Sequence, residues 1–207
     1  MDVSRQTQLI FPTPVHIVDF PDTAFCDRAV GYIKEIRNFG EGGGDDVCWC
    51  TPDNLDLRPE FQEIKEIILS EINRVFNYIG LVRDSQYITC MWANVSKPKN
   101  RHALHPHANS YYSGVLYLET PGTPGNIGFK DPRPSSEMLS PDYTENSMFK
   151  LRTIEVEPKK GRLVMFPSWL QHGTRPGDFD EFLDRIALSF NVMPKCTITD
   201  HTRRLTL

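Results

Sequence analysis

The distribution of apolar, β-branched and turn-forming residues predicts a mainly β protein braced by two N-terminal helices. Three observations carry this expectation. Apolar residues recur twice at helical three- and four-residue intervals before about Gly80, and from about Gln86 short β-type segments punctuated by Pro and Gly take over. No amphipathic stretch of helical length interrupts that second part. Without helices between its strands the chain has no means of building a parallel α/β sheet, so the β run is expected to form a sandwich or barrel.

The elements follow in order. Pro14 to Phe20 is rich in β-branched residues and reads as an early strand, with His16 expected as a packed residue rather than a ligand. Between Asp22 and Asn38, Phe25, Ala29, Val30, Ile33 and Ile36 mark one face of a helix. The glycine-rich stretch from Gly40 to Asp46 ends it and reads as a surface loop. Pro59 suits the first position of a second helix, whose stripe of Phe61, Ile64, Ile68, Ile72, Val75 and Ile79 runs to about Gly80.

Strands are then expected at Gln86–Val95, Ser110–Glu119, Ile127–Lys130, Leu151–Val156, Arg162–Phe166 and Arg185–Met193. Lys159-Lys160-Gly161 reads as a hairpin turn between the fourth and fifth of these, Asp131 to Ser147 as a long loop, and the tail after Pro194 as polar. The organisation expected is one domain over residues 1–207, with 1–85 as strand and helical support, 86–193 as β-barrel core and 194–207 as a tail.

Bulk composition excludes several functions. A net charge of −4 spread over 207 residues gives no basic footprint for nucleic acid. No apolar run approaches the roughly 18–20 residues that cross a bilayer, and Met1 to Gln8 lacks the layout of a signal peptide, so a soluble cytoplasmic protein is expected. The five cysteines are odd in number and scattered, which argues for reduced thiols. Cys48 and Cys50 form the one close pair, but a second cysteine pair to complete a structural zinc site is missing.

The chemistry concentrates around Leu104 to Leu118. In an extended segment alternate side chains share a face, so His105 and His107 would stand roughly 6.5–7 Å apart at the backbone, close enough to converge on one metal ion. His172 supplies a distant third ligand, 67 residues after His105. Thirteen residues further, alternation places Arg185, Ala187, Ser189 and Asn191 on one strand face and Ile186, Leu188, Phe190 and Val192 on the other. If the small-residue face lines a cavity, Arg185 is a fixed bidentate donor for a carboxylate; the alternative is a surface arginine paired with an aspartate.

These pieces resemble the Fe(II)/2-oxoglutarate-dependent oxygenases, in a branch found in viral and bacterial genomes. The resemblance runs from about Met91 to Val192, through Trp92-Ala-Asn94, His105-Pro-His107, Ser113-Gly-Val-Leu-Tyr117-Leu118, Gly128-Phe-Lys-Asp131-Pro-Arg133, Phe166-Pro-Ser-Trp-Leu-Gln-His172 and Arg185-Ile-Ala-Leu-Ser-Phe-Asn191. It implies a double-stranded β-helix, a jelly-roll or cupin-like barrel, with Fe(II) at its open end and 2-oxoglutarate and O2 as co-substrates. His105 and His172 resemble the two histidine ligands. His107 stands where most of the superfamily has Asp or Glu, and Asp131 is a second source of a carboxylate.

Arg185 resembles the residue that binds the distal carboxylate of 2-oxoglutarate. The superfamily often has Ser two residues later; here that position is Ala187, and Ser113 or Tyr117 would supply the hydroxyl. Asn94 and Arg133 are candidates for contacts to co-substrate or substrate, Leu116, Leu118 and Phe166 pack the barrel, and His102 is expected to be exposed. The implied reaction couples O2-driven decarboxylation of 2-oxoglutarate to oxidation, most simply hydroxylation, of a small molecule or a protein side chain. The competing readings are a cupin-type metalloenzyme that does not use 2-oxoglutarate and a non-catalytic jelly-roll binding module. A homodimer is left open by the sequence.

Overall fold

The structure is a computed structural model that describes residues 3–8, 10–44, 48–133, 138, 141–144, 147, 150–199 and 204–206. Strand β1 (His16–Asp19) leads into helix α1 (Ala24–Asn38), and short strands β2 (Gly43–Gly44) and β3 (Cys48–Cys50) follow. Two single 3-10 turns, Leu55–Leu57 and Pro59–Phe61, precede helix α2 (Gln62–Tyr78). The β part comprises β4 (Ser85–Ser96), β5 (Tyr112–Glu119), β6 (Ile127–Lys130), β7 (Thr153–Val156), β8 (Arg162–Pro167), β9 (His172–Thr174) and β10 (Arg185–Lys195), and β11 (Thr197–Thr199) and β12 (Arg204–Thr206) pair at the end.

A seven-stranded antiparallel sheet in the order β1-β8-β5-β10-β4-β3-β2 packs against a three-stranded sheet in the order β7-β6-β9. The chain moves from β5 in the large sheet to β6 and β7 in the small one, back to β8, across to β9 and back to β10. That repeated crossing is the winding of a double-stranded β-helix, as the sequence implies.

Alternation along the strands divides the interior. One face of the large sheet, with Met91, Ala93, Leu116, Leu118, Leu188 and Phe190, packs against Ile33 of α1 and Ile68 and Ile72 of α2. The opposite face contributes Val115, Tyr117, Val164, Phe166 and Ala187 to a smaller cluster with Ile127, Phe129 and Val156 of the small sheet. Gly114 is required in β5, because a Cβ there would lie 2.3 Å from the ring of Phe190, which crosses that backbone.

Three expectations need correction. Lys159-Lys160-Gly161 does not close a hairpin, because β7 and β8 belong to different sheets. The turn is a corner: Gly161, at φ +77°, donates its N–H to the Tyr117 carbonyl at 2.8 Å and accepts from Phe20 at 3.0 Å, tying β8 to β5 and β1. The glycine loop contains a strand pair, Gly43 opposite Cys50 and Gly44 opposite Trp49, while Asp45 and Asp46 lie outside the described residues. Pro59 opens a 3-10 turn rather than α2 itself. In the tail, Thr197, Ile198 and Thr199 pair with Thr206, Leu205 and Arg204. Much of the expected loop from Asp131 to Ser147 lies outside the described residues.

Candidate metal centre

The centre sits where the chain crosses between sheets. After β8 ends at Pro167, Ser168 to Leu170 form a turn closed by the Leu170 N–H on the Pro167 carbonyl at 2.9 Å, and His172 then opens β9. The segment carrying His105 and His107 is zipped onto this turn. His105 and His172 exchange backbone hydrogen bonds of 3.0 and 3.1 Å, and the His107 N–H donates to the Ser168 carbonyl at 2.9 Å. His105 forms a single bridge with His172 rather than belonging to a strand, yet the outcome is the expected convergence. Ring centroids are 5.1 Å apart for His105 and His107, 4.6 Å for His105 and His172, and 5.0 Å for His107 and His172.

The donor atoms fit a metal ion. One ring nitrogen from each of His105, His107 and His172 lies within 4.8 Å of the others. Two rings are oriented from behind: His105 Nδ1 donates to the Ala103 carbonyl at 2.8 Å and His172 Nδ1 to the Leu170 carbonyl at 2.9 Å. A neutral imidazole that donates through Nδ1 keeps its Nε2 lone pair for the metal. Burial favours that neutral form, pushing His172 down to about 4 and lowering His107, with the neighbouring imidazoles adding to both effects. Phe166 packs on His172 with centroids 4.4 Å apart, and Trp92 lies 6.1 Å from His107.

Asp131 is elsewhere engaged. Its carboxylate forks with Arg133, which donates from Nε at 2.9 Å and from Nη2 at 2.7 Å, and among the described residues the metal-capable cluster consists of the three imidazoles. Arg133 itself is exposed.

A cavity of about 120 Å³ adjoins the imidazoles and extends to Arg185. The arginine opens β10 and is buried, with its guanidinium carbon 5.4 Å from the centre of the Tyr117 ring. Both Arg185 Nε and the Tyr117 hydroxyl are buried without a hydrogen-bond partner. The neighbouring Asp184 is not that partner, since it pairs with Arg37 at 3.7 Å and Lys97 at 3.0 Å. A buried guanidinium without a counter-charge is costly, and a ligand carboxylate entering this cavity would remove the cost. Burial pushes the Tyr117 phenol up to about 12, so it is a neutral donor available to the same anion.

The remaining candidates separate. Tyr117, Asn94 and Ala187 line the cavity, and Tyr117 stands directly across from Ala187 in the β5–β10 ladder. Ser113 does not: its hydroxyl is held by Ser168 at 2.8 Å and Asn191 at 2.7 Å. His102 is a correction, being half-buried and part of the lining rather than exposed. Residues 102 to 107 are not a continuous strand, so strand alternation does not place the His102 side chain. Trp92 and Thr174 are lining residues that sequence reasoning did not select, although Trp92 shares the strand parity of Asn94.

Residues 90–191 match the family model described as "Putative 2OG-Fe(II) oxygenase". Over these residues the β core is similar to the 2OG-Fe(II) oxygenases. Solved structures agree at the level of the oxygenase fold. HygX from Streptomyces hygroscopicus, solved with nickel and 2-oxoglutarate, aligns with a TM-score of 0.60 at 13% identity over 88% of this chain and 83% of its own. The viral collagen prolyl hydroxylase of Paramecium Bursaria Chlorella virus-1 gives 0.56 at 15% identity over 86% and 94%. A Pseudomonas putida prolyl-4-hydroxylase gives 0.60 at 13% over 86% and 92%. No curated protein matches the chain by sequence. No helix among the described residues is long and apolar enough to cross a membrane.

Proposed function

We propose that this oxygenase core holds Fe(II) on His105, His107 and His172 and anchors 2-oxoglutarate through Arg185, acting as a hydroxylase of a small molecule or a protein side chain. The single observation that carries the reading is the pairing of two incomplete sites in one cavity: three convergent imidazoles beside a buried arginine whose Nε has no hydrogen-bond partner. Iron with the keto acid supplies the oxidising chemistry when O2 is present. The chain's own residues bind and orient. The Ala103 and Leu170 carbonyls fix the imidazole rings, Arg185 and Tyr117 receive the distal carboxylate, and Phe166 and Val115 keep the site dry.

Three imidazoles bring no negative charge, so the ferrous site is one unit more positive than the usual two-histidine, one-carboxylate set. That difference favours an anionic co-substrate at the centre. The substrate class draws on relatives whose own names point two ways: HygX has been solved with hygromycin B bound, and two other neighbours are prolyl hydroxylases.

Anaerobic Fe(II) titration with and without 2-oxoglutarate tests the reading. A weak visible absorption band that requires both components is expected, followed by succinate release when O2 is admitted. Metal binding with no response to the keto acid would transfer the assignment to a cupin-type metalloenzyme. Absence of metal, with a melting temperature unmoved by Fe(II) and 2-oxoglutarate, would leave a binding module.

A further inference from the structure

The edge of the large sheet carries a second reactive group that the oxygenase reading does not use. In the β3–β4 ladder Cys48 stands opposite Ser96, Trp49 opposite Val95 and Cys50 opposite Asn94. Trp49 therefore packs against the helical side of the sheet, while both thiols take the cavity side, where Asn94 is already a lining residue. Cys50 donates its S–H to Asn94 Oδ1 at 3.2 Å, and Cys48 Sγ lies 3.6 Å from Ser96 Oγ. His102 lines the same metal cavity. Both cysteines are half-buried, open enough for a small oxidant and enclosed enough to keep their partners.

We propose that Cys48 and Cys50 form a peroxide-reactive dithiol at the rim of the metal cavity, with Cys48 as attacking thiolate and Cys50 as resolving thiol. The surroundings separate the two roles. Cys50 keeps its proton on Asn94 Oδ1, while Cys48 has the Ser96 hydroxyl at 3.6 Å; the neighbouring thiol holds Cys48 below the ordinary range, and the same neighbour together with burial pushes Cys50 up. Cys48 sulfur attacks one oxygen of a hydroperoxide; the S–O bond forms, the O–O bond breaks, and the leaving oxygen takes a proton as water or an alcohol. Cys48 is oxidised to the sulfenic acid and the peroxide is reduced. Cys50 sulfur then attacks Cys48, forming the S–S bond and expelling hydroxide, which leaves as water with the Cys50 proton.

Alternate residues of a strand sit about 6.6 Å apart at Cα, near the upper limit of what a disulfide spans, and their Cβ atoms stand farther apart than the roughly 3.5–4.5 Å of a relaxed bridge, so closing it bends β3 out of its ladder and external thiols reopen it readily. Closing it also removes the Cys50 donor from Asn94, which faces the cavity, so the state of the dithiol would be felt there.

The test uses the full chain kept free of ferrous iron, exposed to hydrogen peroxide, with thiols blocked at intervals and mapped by mass spectrometry. Cys90 and Cys196, which are free and also half-buried, serve as internal controls. A Cys48–Cys50 disulfide is expected to form at least about tenfold faster than either control is oxidised, and a dithiol reductant should reverse it. In Cys50→Ser the reaction should stop at a sulfenic acid that dimedone traps on Cys48. Oxidation of the pair no faster than the controls in the unmodified protein overturns the proposal without recourse to any variant. Trapping at Cys50 in Cys48→Ser, at the rate seen for the native pair, would overturn the assignment of roles.

Discussion

The two faces of the large sheet are made by the same strands and behave as different materials. In β10, Leu188 and Phe190 point to the helices and are fully buried in a cluster with Ile33, Ile68 and Ile72. One residue out of phase, Arg185, Ala187 and Ser189 point into the cavity beside the imidazoles. The helical side is packed mainly by apolar groups, with the Tyr112 hydroxyl buried there without a partner. The cavity side adds a charged group, Arg185 Nε, and the Tyr117 hydroxyl, both buried without hydrogen-bond partners, next to three convergent histidines. Stability is thus concentrated on one face and binding capacity on the other.

That division can be broken by exchanging the expected consequences of substitutions on the two faces. The largest effect is expected from His172→Ala, which removes a convergent, buried ligand. Disturbing a group behind a ligand costs roughly 10–100-fold in metal affinity, so loss of the ligand itself should cost more than about 100-fold. Isothermal titration with Fe(II) under anaerobic conditions measures this, and the circular dichroism melt should show the fold retained. Collapse of the fold would mean that the cavity face carries stability after all.

Ile68→Ala probes the opposite face. Ile68 is fully buried between α2 and the sheet, and truncation there is expected to lower unfolding free energy by about 2–5 kcal/mol in urea titrations. Fe(II) affinity of the folded fraction should stay within about twofold of the parent, because additivity holds between distant sites. A large loss of metal affinity would show that the helices hold the centre in shape.

Arg185→Ala sharpens the division within the cavity face. Deleting a charged donor to a carboxylate costs about 1.5–3 kcal/mol, or roughly 10–150-fold in 2-oxoglutarate affinity, with metal content unchanged. The melting temperature of the protein without co-substrate should not fall, since the variant removes a buried charge that lacks a counter-ion. Loss of metal with normal keto-acid affinity would sink the assignment of Arg185 as anchor.

Much of this division is legible in the sequence because it rests on parity. The stripes of α1 and α2, the two faces of β10 and the proximity of His105 and His107 all follow from periods of 3.6 and 2. What was hidden depends on partners far along the chain. β9 is three residues long and reads as loop until β6 pairs with it, and Cys48-Trp-Cys50 becomes a strand by pairing with Gly43–Gly44 and β4. Ser113 has the correct parity for the cavity but is captured by Ser168 and Asn191, a contact that no local pattern encodes. The position of His102 is hidden for a related reason: its segment is held by isolated hydrogen bonds to Thr174 and His172, which have no period to read.

The smallest expected effect is also the most specific to this chain. Where the superfamily that this chain resembles often has Ser two residues after the arginine matching Arg185, the proposed anchor, Ala187 presents a methyl group to the cavity, and Tyr117 faces it from β5. Ala187 is 4% exposed, so a hydroxyl placed there without a ligand would be desolvated with few partners nearby. Ala187→Ser should therefore leave stability unchanged or slightly lower, yet tighten 2-oxoglutarate by about 0.5–1.5 kcal/mol, roughly two- to tenfold, by adding one donor to the carboxylate. If Tyr117 already fills that role, the gain should appear only in Tyr117→Phe, where the added serine would compensate for the missing phenol. A double-mutant cycle of Ala187→Ser with Tyr117→Phe, read by keto-acid titration, distinguishes the two cases, and additivity of the two changes would show that these facing residues do not share the carboxylate.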